Sequence, residues 1–220
     1  MTRPRQFDLI AFDWDGTLFD STALIARCIQ AACADLGCGV PSDTDARYVI
    51  GMGLQEALQH AAPGLARERY PELGTQYRKH YFARQHEIVL FDGAVPMLQA
   101  LKARQHWLTV ATGKSRRGLD EALDSVELRG VFDDSRTADE TASKPHPQML
   151  LELMAAFQVP PERTLMIGDT THDLQMAQNA GVAAVGVSYG AHEPAMFGAF
   201  PTLHVAHSMA DLHAWLAENA

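Results

Sequence analysis

The segment Ile10-Ala11-Phe12-Asp13-Trp14-Asp15-Gly16-Thr17-Leu18 carries an apolar run straight into two carboxylates, a glycine and a threonine. Its apolar part reads as a buried β-strand, Leu9 to Asp13. A turn at Gly16, where glycine tolerates conformations closed to other residues, lets Asp13 and Asp15 act on one centre. Two carboxylates held close together repel unless a cation or a shared proton compensates. The segment therefore reads as a place for a metal and a phosphate.

Outward from that strand, the pattern alternates. Asp20 and Ser21 precede Thr22 to Leu36, which reads as a helix capped at its start and closed by Gly37 and Gly39. From Ser42 to about Glu87 only helical periodicity appears, cut by Pro63, Gly64, Pro71 and Gly74 into three or four short helices. After Phe91-Asp92-Gly93 the spacing predicts a helix from Val95 to Arg104, a strand from Trp107 to Ala111 and a helix from Arg116 to Ser125. A loop with Lys144-Pro145-His146-Pro147 leads into a helix from Gln148 to Phe157, and no strand is assigned between Ser125 and that loop. A strand from Thr164 to Ile167, a helix to Ala180, strands at Ala183 to Val187 and weakly at Leu203 to Val205, and a helix from Met209 to Leu216 follow. Strands alternating with helices imply an α/β fold, a parallel sheet covered on both faces. The helical stretch before Phe91 is too long for a simple crossover and reads as an inserted domain. The expected division is a core of residues 1–18 and 92–220 with a helical cap of residues 19–91, hinged near Leu18 to Asp20 and Phe91 to Ala94.

Composition narrows the class. The chain has 220 residues, 47% apolar and 20% charged, as in a globular protein with a substantial core. A net charge of −9 argues against a nucleic-acid partner, although a local cation cluster can still take a small anion. No run of about 18 apolar residues exists, so no membrane span is expected. Met1-Thr2-Arg3-Pro4-Arg5-Gln6 leads directly into the first strand without a signal-peptide pattern, and a cytoplasmic location is expected. Cys28, Cys33 and Cys38 match no zinc spacing and read as reduced thiols.

Three apolar strands end in polar, glycine-containing turns: Asp13 to Thr17, Thr112-Gly113-Lys114 and Gly168-Asp169. In an open parallel sheet, ligands bind beyond the carboxyl ends of the strands. The groups expected together there are Asp13, Asp15, Asp169, Asp173, Thr112 and Lys144, with Lys114 as a further candidate. Oxygen ligands on neighbouring turns suit a hard divalent cation, magnesium foremost. Phosphoryl transfer needs such a metal, donors to the phosphoryl oxygens and an in-line nucleophile.

These motifs, in this order, resemble the haloacid dehalogenase superfamily, in the subgroup of phosphohydrolases with a helical cap after the first strand. The resemblance spans nearly the whole chain and is nearest to phosphoglycolate phosphatases. It implies that Asp13 attacks phosphorus and forms an aspartyl-phosphate. It implies that Asp15 is the acid and base, and that Asp13, the Asp15 carbonyl and Asp169 hold Mg²⁺. Thr112 and the backbone N–H groups near it, Gly113 included, would hold phosphoryl oxygens. Lys144 would balance charge, and Asp173 would orient Lys144 or a metal-bound water. The expected reaction is hydrolysis of a small phosphorylated metabolite by a monomer or homodimer. Pyrophosphatase, nucleotide phosphatase, β-phosphosugar mutase and a non-catalytic binding module are the alternatives.

Several positions keep two readings. Asp173 lies three residues after Thr170, which is also the spacing of a capping box. Lys114, Arg116 and Arg117 either touch substrate or form a solvated surface. The cap segment from Arg47 to Gly53 reads as a substrate contact, through Arg47 and Gly51, or as an ordinary turn. His146 and His172 read as polar loop residues, Trp14 as a site wall or packing residue, and Met52, Met97, Met149, Met154 and Met166 as core.

Overall fold

The computed structural model describes residues 5–126, 128 and 130–220; the leader reading of residues 1–4 falls outside them. Its central sheet has six parallel strands in the order β3-β2-β1-β4-β5-β6 among the described residues. They are β1 (Leu9–Phe12), β2 (Trp107–Thr112), β3 (Asp134–Thr137), β4 (Thr164–Gly168), β5 (Ala183–Val187) and β6 (His204–Ala206). Phe12 pairs with Val110 on one side and with Ile167 on the other. β1 is thus the strand at which the order reverses, the place where a crevice opens at the carboxyl ends. The three glycine-containing turns read from the sequence follow β1, β2 and β4, the strands that meet there.

The alternation along β1 builds both faces of the core. Ile10 and Phe12 join Leu108, Val110 and Ile167 on one face, under helices α5 (Ala94–Ala103) and α9 (Met209–Asn219). Leu9 and Ala11 join Met166 and Ala184 on the other, under α7 (Gln148–Phe157) and α8 (Thr171–Ala180). Met97, Met149, Met154 and Met166 are buried as expected, and Trp14 packs into the first face, stacked on Phe19 at 4.9 Å. Helix α6 (Arg116–Ser125) starts at Ser115, whose hydroxyl accepts from the Gly118 N–H.

Between β1 and α5 lie four α-helices among the described residues, α1 (Thr22–Asp35), α2 (Asp43–Tyr48), α3 (Leu54–Ala61) and α4 (Tyr70–Arg84). They enclose their own apolar cluster, with Ile29, Ala32, Cys33, Leu58 and Leu73 at its centre. The cysteines are free, and burial pushes the Cys33 thiol up to about 12, so it has little nucleophilic character. The two segments joining these helices to the sheet run side by side. Phe91 N–H donates to Leu18 O at 2.9 Å, and Asp20 N–H donates to Val89 O at 2.9 Å.

Strand β3 corrects the sequence reading. Asp134, Ser135 and Arg136 are polar because β3 is an edge strand, where charge blunts pairing with other chains. Its side chains therefore carry no apolar signal, and main-chain pairing with β2 makes it a strand. No helix among the described residues is long and apolar enough to cross a membrane.

Candidate active site

Asp13 stands one residue past β1, its N–H donating to Ile167 O at 2.8 Å. The side chain is buried, 1% exposed. One carboxylate oxygen, Oδ1, accepts from Lys144 Nζ at 2.5 Å; the other, Oδ2, has no hydrogen-bond partner. Gly16 follows in the left-handed region, φ 87°, and its N–H donates to Phe19 O to close the turn. The same turn brings Asp15 to the wall of the cavity that Asp13 lines.

Asp169 follows β4 and is fully buried. Thr17 Oγ1 donates to its Oδ1 at 3.0 Å and Ala191 N–H to its Oδ2 at 2.7 Å. It is gripped from both sides by backbone without side chains: a Cβ on Gly16 or on Gly190 would overlap its carboxylate. Asp173 resolves its two readings by satisfying both. It completes the capping box of α8, with Thr170 Oγ1 accepting from its N–H and its Oδ2 accepting from Thr170 N–H at 3.1 Å. Its Oδ1 lies 2.7 Å from Lys144 Nζ, an ion pair made outside hydrogen-bond angles. Lys144 and Asp169 are fully buried and do not themselves line the cavity that Asp13 borders.

Charge explains the shifted ionisations. Burial, with the charges of Asp173 and Asp15, pushes the Asp13 carboxyl up to about 7, although Lys144 pulls the other way. Burial first, then the Asp13 and Asp173 charges, raises Asp169 well above the usual carboxylate range. Burial works against the Lys144 ammonium, but Asp13 and Asp173 outweigh it and hold it charged. Carboxylate oxygens of Asp13, Asp169 and Asp173 lie within 4.8 Å of one another. Fully ionised, three carboxylates beside one ammonium leave two negative charges uncompensated. That deficit, the all-oxygen donor set and the unpartnered Asp13 Oδ2 fit a hard dication.

The cavity above Asp13 encloses about 530 Å³. Thr112, Gly113 and Lys114 form its core side, and Ile25, Ile50, Met52, Tyr77 and Tyr81 face them from the helical insertion. Thr112 Oγ1 accepts from Lys114 N–H at 3.2 Å. Lys114 is no surface residue. Its ammonium lies 3.0 Å from Asp15 Oδ2 and donates to the Tyr81 hydroxyl at 3.0 Å, bridging the core to α4. Both Asp15 and Tyr81 favour its charged form against burial. Ser21 at the start of α1 makes no side-chain cap; its hydroxyl donates to Asp15 Oδ1 at 2.7 Å instead.

The segment ahead of α3 seals one side. Gly113 is packed so tightly under the carbonyls of Gly51 and Met52 that a Cβ there would overlap main chain. Gly53 N–H donates to Ser143 Oγ at 2.8 Å. Gly51 lines the cavity, as does Met52, which is half-buried and also packs against the insertion's apolar cluster. Arg47 does not line it: its guanidinium pairs at 2.8 Å with Asp43, one turn away on its own helix, and reaches the Thr22 hydroxyl of α1. Arg116 and Arg117 also turn away, to Glu140 and to Glu121. His146 keeps to its loop, its Nδ1 accepting from Gln148 N–H. His172, by contrast, is buried; its Nε2 donates to Tyr48 O at 2.8 Å beside the equivalent bond from His192 at 2.9 Å.

Residues 10–187 match the family model described as haloacid dehalogenase-like hydrolase. The chain belongs to that family. It is 36% identical over 189 residues to "Probable phosphatase IndB" of Dickeya dadantii, which covers 84% of this chain and 82% of the relative. It is 29% identical over 195 residues to a phosphoglycolate phosphatase of Mannheimia succiniciproducens, covering 84% of this chain and 87% of that one. A hydrolase from Pseudomonas syringae, 23% identical, shares the fold at a TM-score of 0.88 over 97% of this chain and 99% of its own.

This haloacid dehalogenase-like hydrolase thus gathers most of the residues singled out in its sequence. Those that the sequence missed are Thr17, Ser21, Tyr81, Ser143 and His192. Thr17 and Ser21 flank the first motif and Ser143 precedes Lys144, so adjacency was an available signal. Tyr81 and His192 had none, because only the folded chain brings them to Lys114 and Tyr48.

Proposed function

We propose that this chain is a magnesium-dependent phosphatase that hydrolyses a small phosphomonoester through a phosphoryl group carried on Asp13. The observation behind this reading is the Asp13 carboxylate: one oxygen is fixed by Lys144, while the other is buried, unpartnered and directed to no protein donor, beside Asp15 on the same cavity. A carboxylate so held is a preorganised nucleophile.

Asp13 Oδ2 attacks phosphorus; the bond to the leaving oxygen breaks, and Asp15 gives that oxygen its proton. Asp15 then takes a proton from a water whose oxygen attacks phosphorus, which frees Asp13 and inorganic phosphate. Thr112 and the N–H groups beside it donate to the phosphoryl oxygens, and Lys144 balances the charge that builds on them. Ser21 and Lys114 fix the Asp15 carboxylate at both oxygens. Asp13 and Asp169, with the main-chain carbonyl of Asp15, would hold the cation. Asp173 stands aside, its oxygens engaged by Lys144 and Thr170. When bound, the dication lowers the repulsion between the carboxylate and the incoming phosphate.

Residues 19–91 act in this reading as a cap that shuts water out of the reaction. Phosphate release from a panel of monoesters in the presence of magnesium is the test. Release abolished by Asp13→Asn, a loss of about 10³-fold or more, is expected; undiminished release by that variant overturns the proposal.

A further inference from the structure

The cavity says more about the alcohol half of the substrate than the motifs do. Its volume of about 530 Å³ is in the class that holds drug-sized ligands, far more than a two-carbon acid fills. Its outer part is bounded by α1, the Gly51–Gly53 segment and α4, with Ile29, Ile50 and Met52 among the apolar walls. On α4 three rings form a shelf. Tyr77 and Tyr81 are stacked, 5.9 Å apart and inclined by 26°, and Phe82 meets Tyr81 edge-on at 6.1 Å. Phe82 borders the cavity and is 45% exposed, so an occupant there would cover apolar surface now open to water.

A carboxylated leaving group is held most firmly by a buried cation, and among the described residues the walls hold no buried cation free for it. Lys114 is already held by Asp15 and the Tyr81 hydroxyl. Arg78, the other cation on the lining, is exposed to solvent.

We propose that the substrate is the phosphomonoester of a primary alcohol bearing a flat, largely apolar ring, with phosphorus at Asp13 and the ring against Tyr77, Tyr81 and Phe82. Aromatic faces favour a planar partner in offset or edge-on contact, which aliphatic walls alone would not select. The inference rests on the phosphatase reading above.

The test compares 2-phenylethyl phosphate, ethyl phosphate and phosphoglycolate with magnesium present. The first two release similar unactivated primary alkoxides, so the ring is the main variable. A kcat/KM for 2-phenylethyl phosphate at least about tenfold above both others is expected. Tyr77→Ala should shrink the ratio of phenylethyl to ethyl ester towards one; if that variant does not fold, Phe82→Ser at the exposed rim takes its place. Equal or better turnover of ethyl phosphate or phosphoglycolate overturns the inference while leaving a phosphatase. So does a ratio that survives the substitution. Release from none of the three, nor from a wider panel of monoesters, defeats the phosphatase reading itself.

Discussion

Lys144 is the cation set among the buried carboxylates. It is fully buried and touches both Asp13 and Asp173. Removing one member of a buried charged group strands the others, at a cost of about 3–5 kcal/mol. Lys144→Met is therefore expected to lose about that much stability in urea unfolding with a chelator present, well beyond the loss of its methylene packing. His106 gives a second prediction, away from the site. It is 1% exposed, its Nδ1 donates to Phe7 O at 2.9 Å, and its Nε2 faces no partner. Burial first, then Arg104, lowers its pKa from 6.5 to about 4. The unfolded chain then binds a proton that the folded chain refuses, so stability falls as pH drops from 6.5 towards 4. The loss attributable to this group is about 3 kcal/mol at most. Urea unfolding at pH 7 and pH 4.5 should show His106→Gln with a smaller drop than the unaltered protein.

At the scale of elements, one tight approach between insertion and core sets glycine against main chain. Gly113 follows β2 and has no room for a side chain beneath the Gly51 and Met52 carbonyls. In Gly113→Val no flexible side chain stands in the way to move aside, so the Gly51–Gly53 backbone must lift. A kcat/KM lower by about 10²-fold is expected, as for misplacement of about an ångström. Faster proteolysis around residues 43–53 should accompany it, with the sheet's melting little changed because Gly113 lies outside both apolar clusters. Elements also show where the sequence was legible. β1, β2, β4 and β5 announced themselves because buried parallel strands are continuous apolar runs. β3 did not, since its side chains are polar and its pairing is entirely main chain. The core site was legible for the same reason: its residues follow strand ends that sheet topology brings together. The insertion's contribution was not, because Tyr81 meets Lys114 and Tyr48 meets His172 and His192 only through tertiary packing. Arg47 shows the converse, a cation in a suggestive segment that finds its acid on its own helix.

For the whole molecule, the buried acidic cluster is expected to tie folding to cation supply. A cation that binds the folded but not the unfolded chain stabilises it by about 2.7 kcal/mol at a hundred times its dissociation constant. For a chain of 220 residues that is a rise of about 5–10 °C in Tm. Scanning calorimetry with and without magnesium should show this rise, and Asp169→Asn should remove most of it. The two segments that carry the chain out of the sheet and back carry a last implication. They are laced to each other by the Leu18–Phe91 and Asp20–Val89 bonds, so the exit and the return lie a single hydrogen bond apart. Whatever is spliced between them leaves the span from β1 to α5 unaltered. Seventy residues or seven could be accommodated there, about equally well as far as the sheet is concerned, because lengthening a closed loop costs only logarithmically. Such a junction lets the insertion be exchanged wholesale while the site at the strand ends stays as it is.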